Sequence, residues 1–257
     1  MVEDRRTKHL QLPTNMVFSV HHWAAWAPGL VGQDAWRAWL SQPFPLPAEG
    51  TPPLTEMPAM MRRRVDRLGR IALQATYTCH GEAPACPMVF ASRYGDMRRS
   101  VELLEQLAQG TPLSPTSFSL SVHNAIGALY SIARGDLTAQ SAVAAGAETV
   151  EAAFVEACGL LSEGAPEVLV VVYDEPRPTP FEHFPEQVAF PHAWACSVRP
   201  AGQGPTYRLA CGAVSGETAP ATGALPEELA VLRFLASDAE RFEHPVGARV
   251  WRWQKDA

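Results

Sequence analysis

The sequence lacks any long hydrophobic run. Its longest aliphatic stretch, VLVVVY at 168–173, falls far short of the roughly 20 residues that span a bilayer, so no membrane span is expected. The opening MVEDRRTKHLQLP has no apolar segment of the kind a secretory signal needs, which points to the cytoplasm. There are only five cysteines (79, 86, 158, 196 and 211), an odd number without framework spacing, and reduced cytoplasmic thiols fit them. Positive charge is not in excess. With 21 Lys and Arg against 27 Asp and Glu, the net charge of -6 gives no general attraction to nucleic acid. The motifs GxSxG, GxxxxGK[ST] and HExxH do not occur, which removes the nucleophile elbow, the phosphate loop and the zinc-protease helix.

The chain does have core-forming material. Of 257 residues, 47% are hydrophobic and 19% charged, which excludes global disorder and fits one α/β domain over 1–257, with residues from about 200 on as an extension. Strands are expected at Val17–Val20, Pro87–Ser92, Thr138–Val143, Val168–Tyr173, Gln187–Val198, Thr206–Val214 and Ala248–Trp253. Helices are expected at Gln33–Leu40, Met60–Thr76, Asp96–Gln109, Ser119–Arg134, Gly146–Glu163 and Pro226–Ala236. In the second of these, Met61, Val65, Leu68 and Ala72 share one face. Pro43, Pro45, Pro47, Pro52, Pro53 and Pro58 keep 43–58 irregular, and PRPTPFEHFP at 176–185 is a second broken loop. The AGQG between the strands at 187–198 and 206–214 reads as a hairpin. Together these predict a three-layer α/β/α fold with a mixed sheet of five strands or slightly more and right-handed crossovers.

Few side chains suggest chemistry directly. Cys79, His80 and Cys86 cluster, but zinc sites want four ligands in paired spacing, and an ordinary loop is the better reading. His21 and His22 are neighbours on a strand and so point to opposite faces. Arg63, Arg67 and Arg70 fall on one expected helix face and could receive an acidic partner. No metal site and no cofactor is expected.

The stretch Ser114–Phe154, SPTSFSLSVHNAIGALYSIARGDLTAQSAVAAGAETVEAAF, resembles the β-ketoacyl synthases of the thiolase superfamily. Ser114-Pro115, Asn124, the strand 138–143, Gly146 and Ala153-Phe154 match that family's order of Ser-Pro, Asn-bearing helix, nucleophile strand and helix. RRRVDRLGRIAL (62–73), VFASRYGD (89–96) and VLVVVYDE (168–175) extend the likeness over about residues 15–200. The fold it implies is a thiolase-like half. The family's nucleophilic cysteine falls on Val143, and an isopropyl group cannot attack a thioester. The His-Gly-Thr-Gly-Thr and Gly-His contexts of its catalytic histidines are absent too.

A half-length relative without the cysteine is similar to the short chain-length-factor subunits of ketosynthase heterodimers in aryl polyene biosynthesis. The resemblance implies a subunit with no catalytic residues, a β-ketoacyl synthase as partner, and acyl chains carried on the phosphopantetheine of an acyl carrier protein. It places Thr116, Ser117, Phe118, Leu120, Asn124, Ser141, Ala142 and Val143 at the interface and acyl tunnel, and makes Arg63, Arg67 and Arg70 the candidate carrier contact. Two other readings stay open: an independent homodimeric acyl-binding or regulatory module, and a thiol enzyme using Cys79 or Cys86.

Overall fold

The computed structural model describes residues 15–179, 181, 189–214 and 225–256. Strand β1 runs over Met16–Trp26, well beyond the expected Val17–Val20, and helix α1 (Gly32–Ser41) buries Trp36, Trp39 and Leu40. The helix expected at Met60–Thr76 is in fact two, α2 (Ala59–Arg62) and α3 (Arg67–His80). Asp66 causes the break. Its backbone is extended and its carboxylate accepts from the Gly69 amide at 3.0 Å, so it caps a new helix instead of continuing the old one.

Strand β2 (Met88–Ala91) leads to α4 (Met97–Ala108), capped by Asp96 as expected. The helix expected at Ser119–Arg134 also divides, into α5 (Pro115–Ser119) and α6 (Ala125–Arg134). Ser114 caps α5 with Pro115 in its first turn, so the helix begins earlier than expected and ends before His123. Then come β3 (Gln140–Val143), a short 3-10 turn, α7 (Thr149–Ser162) and β4 (Val168–Asp174). The chain closes with β5 (His192–Pro200), β6 (Thr206–Ala213), α8 (Glu227–Ala236), β7 (Arg241–Val246) and β8 (Arg249–Asp256). Most of the expected loop 176–185 and the start of the strand expected from Gln187 lie outside the described residues.

The eight strands among the described residues form one sheet in the order β3-β2-β4-β5-β1-β6-β8-β7, larger than the expected minimum of five. β3, β2 and β4 are parallel and every other pair is antiparallel. The expected hairpin between β5 and β6 does not form, because β1 lies between them: Phe18 pairs with Pro200 on one side and Tyr207 on the other. β6, β7 and β8 thus belong to the same sheet as the strands before residue 200, and α8 packs on it.

Two cores follow from the alternation along β4. Val168, Val170 and Val172 pack with Trp36, Phe154, Trp194 and Leu232 under α1, α7 and α8. Leu169, Val171 and Tyr173 pack with Ile71, Phe90 and Tyr130 under α3 and α6. The result is the expected α/β/α sandwich, with strand β4 buried along its whole length, as parallel sheets require.

Candidate functional site

The site is built where β3 ends. Ser141 turns toward α7 and donates to the Glu156 carboxylate at 2.6 Å, whereas Ala142, next along the strand, is exposed. Val143 turns back toward the α7 core and is half-buried. Its carbonyl accepts from the Ser92 amide at 3.2 Å and from His123 Nε2 at 3.3 Å. After it the chain reverses through Gly146, whose φ of 58° suits glycine, into α7. The Thr149 hydroxyl staples this reversal, accepting from the Ala145 amide at 3.0 Å and donating to the Gly146 carbonyl at 2.7 Å.

A second layer holds the neighbouring turn, residues 92–96. Asp174, at the end of β4, is buried, accepting from Ser92 Oγ at 2.9 Å and from the Arg93 amide at 3.0 Å. Burial, and then the nearby Glu228 charge, push its pKa up to about 8, so it is mostly protonated at neutral pH. Ser92 Oγ also accepts from the Gly95 amide at 2.8 Å, and His123 lies against Gly95 so closely that a Cβ there would sit 2.6 Å from its Nδ1. Ser92, His123 and Asp174 were not among the expected site residues. The signal for Asp174 was present: a carboxylate ending a strand that is otherwise wholly apolar.

The α6 side is equally close. A Cβ on Gly127 would meet Phe90 and Gln140 at 2.9 Å, so only glycine lets α6 lie this near β2 and β3. Among the other expected residues, Thr116 and Phe118 are exposed on α5 and Ser117 is half-buried. Asn124 is exposed at the start of α6, and Leu120 turns inward against the α3–α6 core. The arginines do not share the helix face expected of them, since the chain breaks between Arg63 and Arg67. Arg67 pairs with Glu49 and, at 3.0 Å, with Glu175, while Arg70 donates to the carbonyls of Val65, Arg62 and Pro53 at 3.2, 3.1 and 3.4 Å. Arg63 is exposed.

The thiols are not set up for chemistry. Cys79 and Cys86 are buried, and burial pushes both up to about 12, opposite to an activated nucleophile. His80 bonds the Tyr130 hydroxyl at 2.8 Å and the Pro84 carbonyl at 3.0 Å. Among the described residues no three His, Cys, Asp or Glu side chains are grouped to hold a metal, and no helix is long and apolar enough to cross a membrane.

The two ends of the sheet differ. The outer strand β7, RFEHPV, carries Arg241, Glu243 and Pro245, devices that block further pairing. The outer strand β3, QSAV, carries no charge and no proline, and among the described residues no strand pairs with one side of its backbone. Val122, next to His123, Ile132 on α6, which packs on β3, and Leu137, three residues before β3, are exposed, Leu137 at 97%. One end is guarded and the other is open.

A three-layer sandwich whose third strand breaks sharply into a helix at an alanine- and glycine-rich turn defines a thiolase-like fold. Residues 36–254 match the model of the β-ketoacyl synthase N-terminal domain, and the chain belongs to that family. In solved structures it is similar to a chain from the complex of the ketosynthase ApeO with its chain length factor ApeC from Xenorhabdus doucetiae, at 27% identity and a TM-score of 0.79, covering 93% of this chain and 99% of that one. The ishigamide ketosynthase/chain length factor shares the fold at 18% identity and a TM-score of 0.60, over 78% of this chain and 68% of the other. A β-ketoacyl synthase from Burkholderia phymatum shares it at 11% identity and 0.58, over 79% and 65%. A search of curated proteins finds no match.

Proposed function

We propose that this chain is a chain-length-factor subunit, which pairs with a β-ketoacyl synthase in the cytoplasm and shapes the tunnel into which the partner's acyl chain grows, in polyene or fatty-acid-type elongation. The observation that carries this reading is the unguarded β3 edge ending at Val143. A strand without charge or proline, with exposed Val122, Ile132 and Leu137 on the segments next to it, is an edge built to be covered. The residue at its end bears an isopropyl group in the place of the family's cysteine, so bond making and breaking fall to the partner. The likeness to a chain of the ApeO–ApeC complex supports a ketosynthase as that partner.

An obligate interface of this type buries roughly 2,000–5,000 Å². In this reading β3 and the exposed side of α6 lie inside it, with Asn124 at the rim. An acyl carrier protein delivers the chains; of the three arginines expected to meet it, Arg63 is the exposed one, Arg67 and Arg70 having internal partners.

The test is co-purification with a ketosynthase encoded beside this chain. Wild type is expected to co-elute, and Ala142→Arg, which puts a charge on the open edge, to elute alone with an unchanged melting temperature. Ser141→Lys is a weaker probe, because Glu156 can take up the ammonium group within the chain. Co-elution of Ala142→Arg at unchanged affinity refutes the placement. A stable homodimer through the same strand, with no ketosynthase bound, favours the acyl-binding module instead.

A further inference from the structure

Strand β3 itself is uncharged, but a charge from the next helix lies against it. Glu156, half-buried on α7, accepts from Ser141 Oγ at 2.6 Å, which fixes its carboxylate on the α7 face of the open strand. Among the described residues Ser141 is the only partner of that carboxylate, and no cation pairs with it. The arginines on the adjoining elements are engaged elsewhere. Arg134, at the end of α6, donates to the carbonyls of Gly81 and Ala83 at 2.9 and 3.3 Å, and Arg249 pairs with Glu148. About one turn to either side of Glu156 on α7, Ala152 and Gly159 are small, and a Cβ on Gly159 would meet nothing within 4 Å. The backbone of β3 alternates in the usual way. The carbonyls of Ala139 and Val143 accept from the amides of Met88 and Ser92 at 3.0 and 3.2 Å, so the backbone groups of Gln140 and Ala142 face away from β2. Those are the groups that a further strand would bond.

We infer that Glu156 is the residue by which the β3 edge chooses its partner: it keeps out a second copy of this chain and admits a chain that presents a basic side chain to it. The inference deepens the pairing proposed above and rests on it for the partner's identity. A second copy meeting β3 about a two-fold axis would bond through the same outward residues, Gln140 and Ala142. In each antiparallel register that joins these residues, the two Ser141 side chains lie on the α7 face, directly opposite or diagonal, roughly 5–8 Å apart. Each brings its own Glu156 carboxylate to the junction. Two like charges about 10 Å apart, at an effective dielectric constant of about 20, weaken such a pairing roughly tenfold. A different chain with a lysine or arginine at that place turns the repulsion into attraction, and the carboxylate gains the cation that its own chain does not supply.

Analytical ultracentrifugation of the full chain, alone, in mixtures and with the ketosynthase encoded beside it, tests this. Wild type alone is expected to stay monomeric. Glu156→Gln still accepts from Ser141 but carries no charge, and is expected to self-associate roughly tenfold more tightly. Adding Ala142→Arg to it is expected to abolish that association, which locates the contact on β3. Glu156→Lys alone is expected to stay monomeric, by the same repulsion with the sign reversed, yet to pair with wild type when the two are mixed. Toward the ketosynthase, Glu156→Gln is expected to bind roughly tenfold more weakly and Glu156→Lys more weakly still. Equal melting temperatures of the three chains check the fold. Wild type dimerising through β3, Glu156→Gln associating no more than wild type, association that survives Ala142→Arg, or no pairing of wild type with Glu156→Lys overturns the exclusion of a second copy. Unchanged affinity of Glu156→Gln for the ketosynthase overturns the choice of a basic partner. The self-association arms use no ketosynthase, so a ketosynthase that fails to bind even wild type tells against the proposed function, while those arms still decide whether Glu156 keeps out a second copy.

Discussion

His244 Nδ1 lies 2.8 Å from Glu151 Oε1, and through this contact the last two strands grip the helix that follows Val143. Glu151 is fully buried in the first turn of α7 and also accepts from Trp253 Nε1 at 3.3 Å. One residue before α7, Glu148 accepts from Trp251 Nε1 at 2.9 Å and pairs with Arg249. The C-terminal ribbon is therefore part of the scaffold of the β3–α7 turn.

Removing one member of this buried pair should be costly. His244→Ala leaves the Glu151 carboxylate without its cation and is expected to lower stability by about 3–5 kcal/mol. Burial acts to lower the His244 pKa, but the bond to Glu151 and the charges of Glu151, Glu227 and Glu148 outweigh it, and the net shift is upward. The stabilisation is thus full below the unfolded histidine value of about 6.5 and is lost as pH rises through the folded value. Urea titrations across that range should show wild type losing stability with pH and His244→Ala losing less; equal slopes would refute the pair's protonated state.

Asp174 runs the same way for a different reason. Burial and Glu228 raise it to about 8, so the folded state holds a proton that the unfolded chain releases near 4. Stability should fall between those values as pH rises. Asp174→Asn mimics the protonated form, keeps an acceptor for the Arg93 amide and lets Ser92 accept, so it should flatten that fall at little cost. Asp174→Ala strands the Ser92 and Arg93 donors and should cost about 1–3 kcal/mol. Calorimetry of the two variants at several pH values separates these outcomes; a larger loss for Asn than for Ala would show an ionised Asp174.

Val143→Cys should not create an enzyme. The thiol would sit half-buried at the end of β3, beside His123, whose Nε2 already donates to the Val143 carbonyl and whose Nδ1 lies against Gly95. The family's histidine motifs, which would supply the bases, are absent from the sequence. Mass spectrometry after incubation with acyl carrier thioesters should show neither loading of the variant nor of wild type. Stoichiometric loading of wild type would end the noncatalytic reading altogether.

The sequence was most readable where one local force dominates. Val168–Tyr173 could hardly be anything but a buried strand, and Asp96 and Gly110 bracket α4 by ordinary helix-end chemistry. It was least readable where a capping side chain competes with an apolar stripe: Asp66 splits one expected helix, and Ser114 with Pro115 shifts another toward the N-terminus. β7 was missed because Pro245 and its charges, which suit a sheet edge, argue against a strand when read locally. The β5–β6 hairpin failed for a global reason: β1, nearly two hundred residues earlier, fills the place between them. The strand ending at Val143 was legible in the sequence, whereas His123 and Ser92 reach Val143 only through packing that no local pattern records.

Phe118 provides the sharpest test of the tunnel. Its ring is 62% exposed on α5, and Thr116 and Ser117 next to it are small. In a heterodimer this ring is expected to form the far wall of the partner's acyl cavity. Growth stops when another two-carbon unit no longer fits, because overpacking a closed pocket costs about 1–3 kcal/mol. A cost of that size slows the next elongation by roughly tenfold or more. Phe118→Ala should therefore lengthen the products and Thr116→Trp should shorten them. Both substitutions lie on an exposed five-residue helix that buries no residue, so the fold and the heterodimer should survive, which gel filtration of the pair checks first. Product lengths unchanged in both intact heterodimers would move the wall elsewhere and leave Phe118 as an interface packing residue.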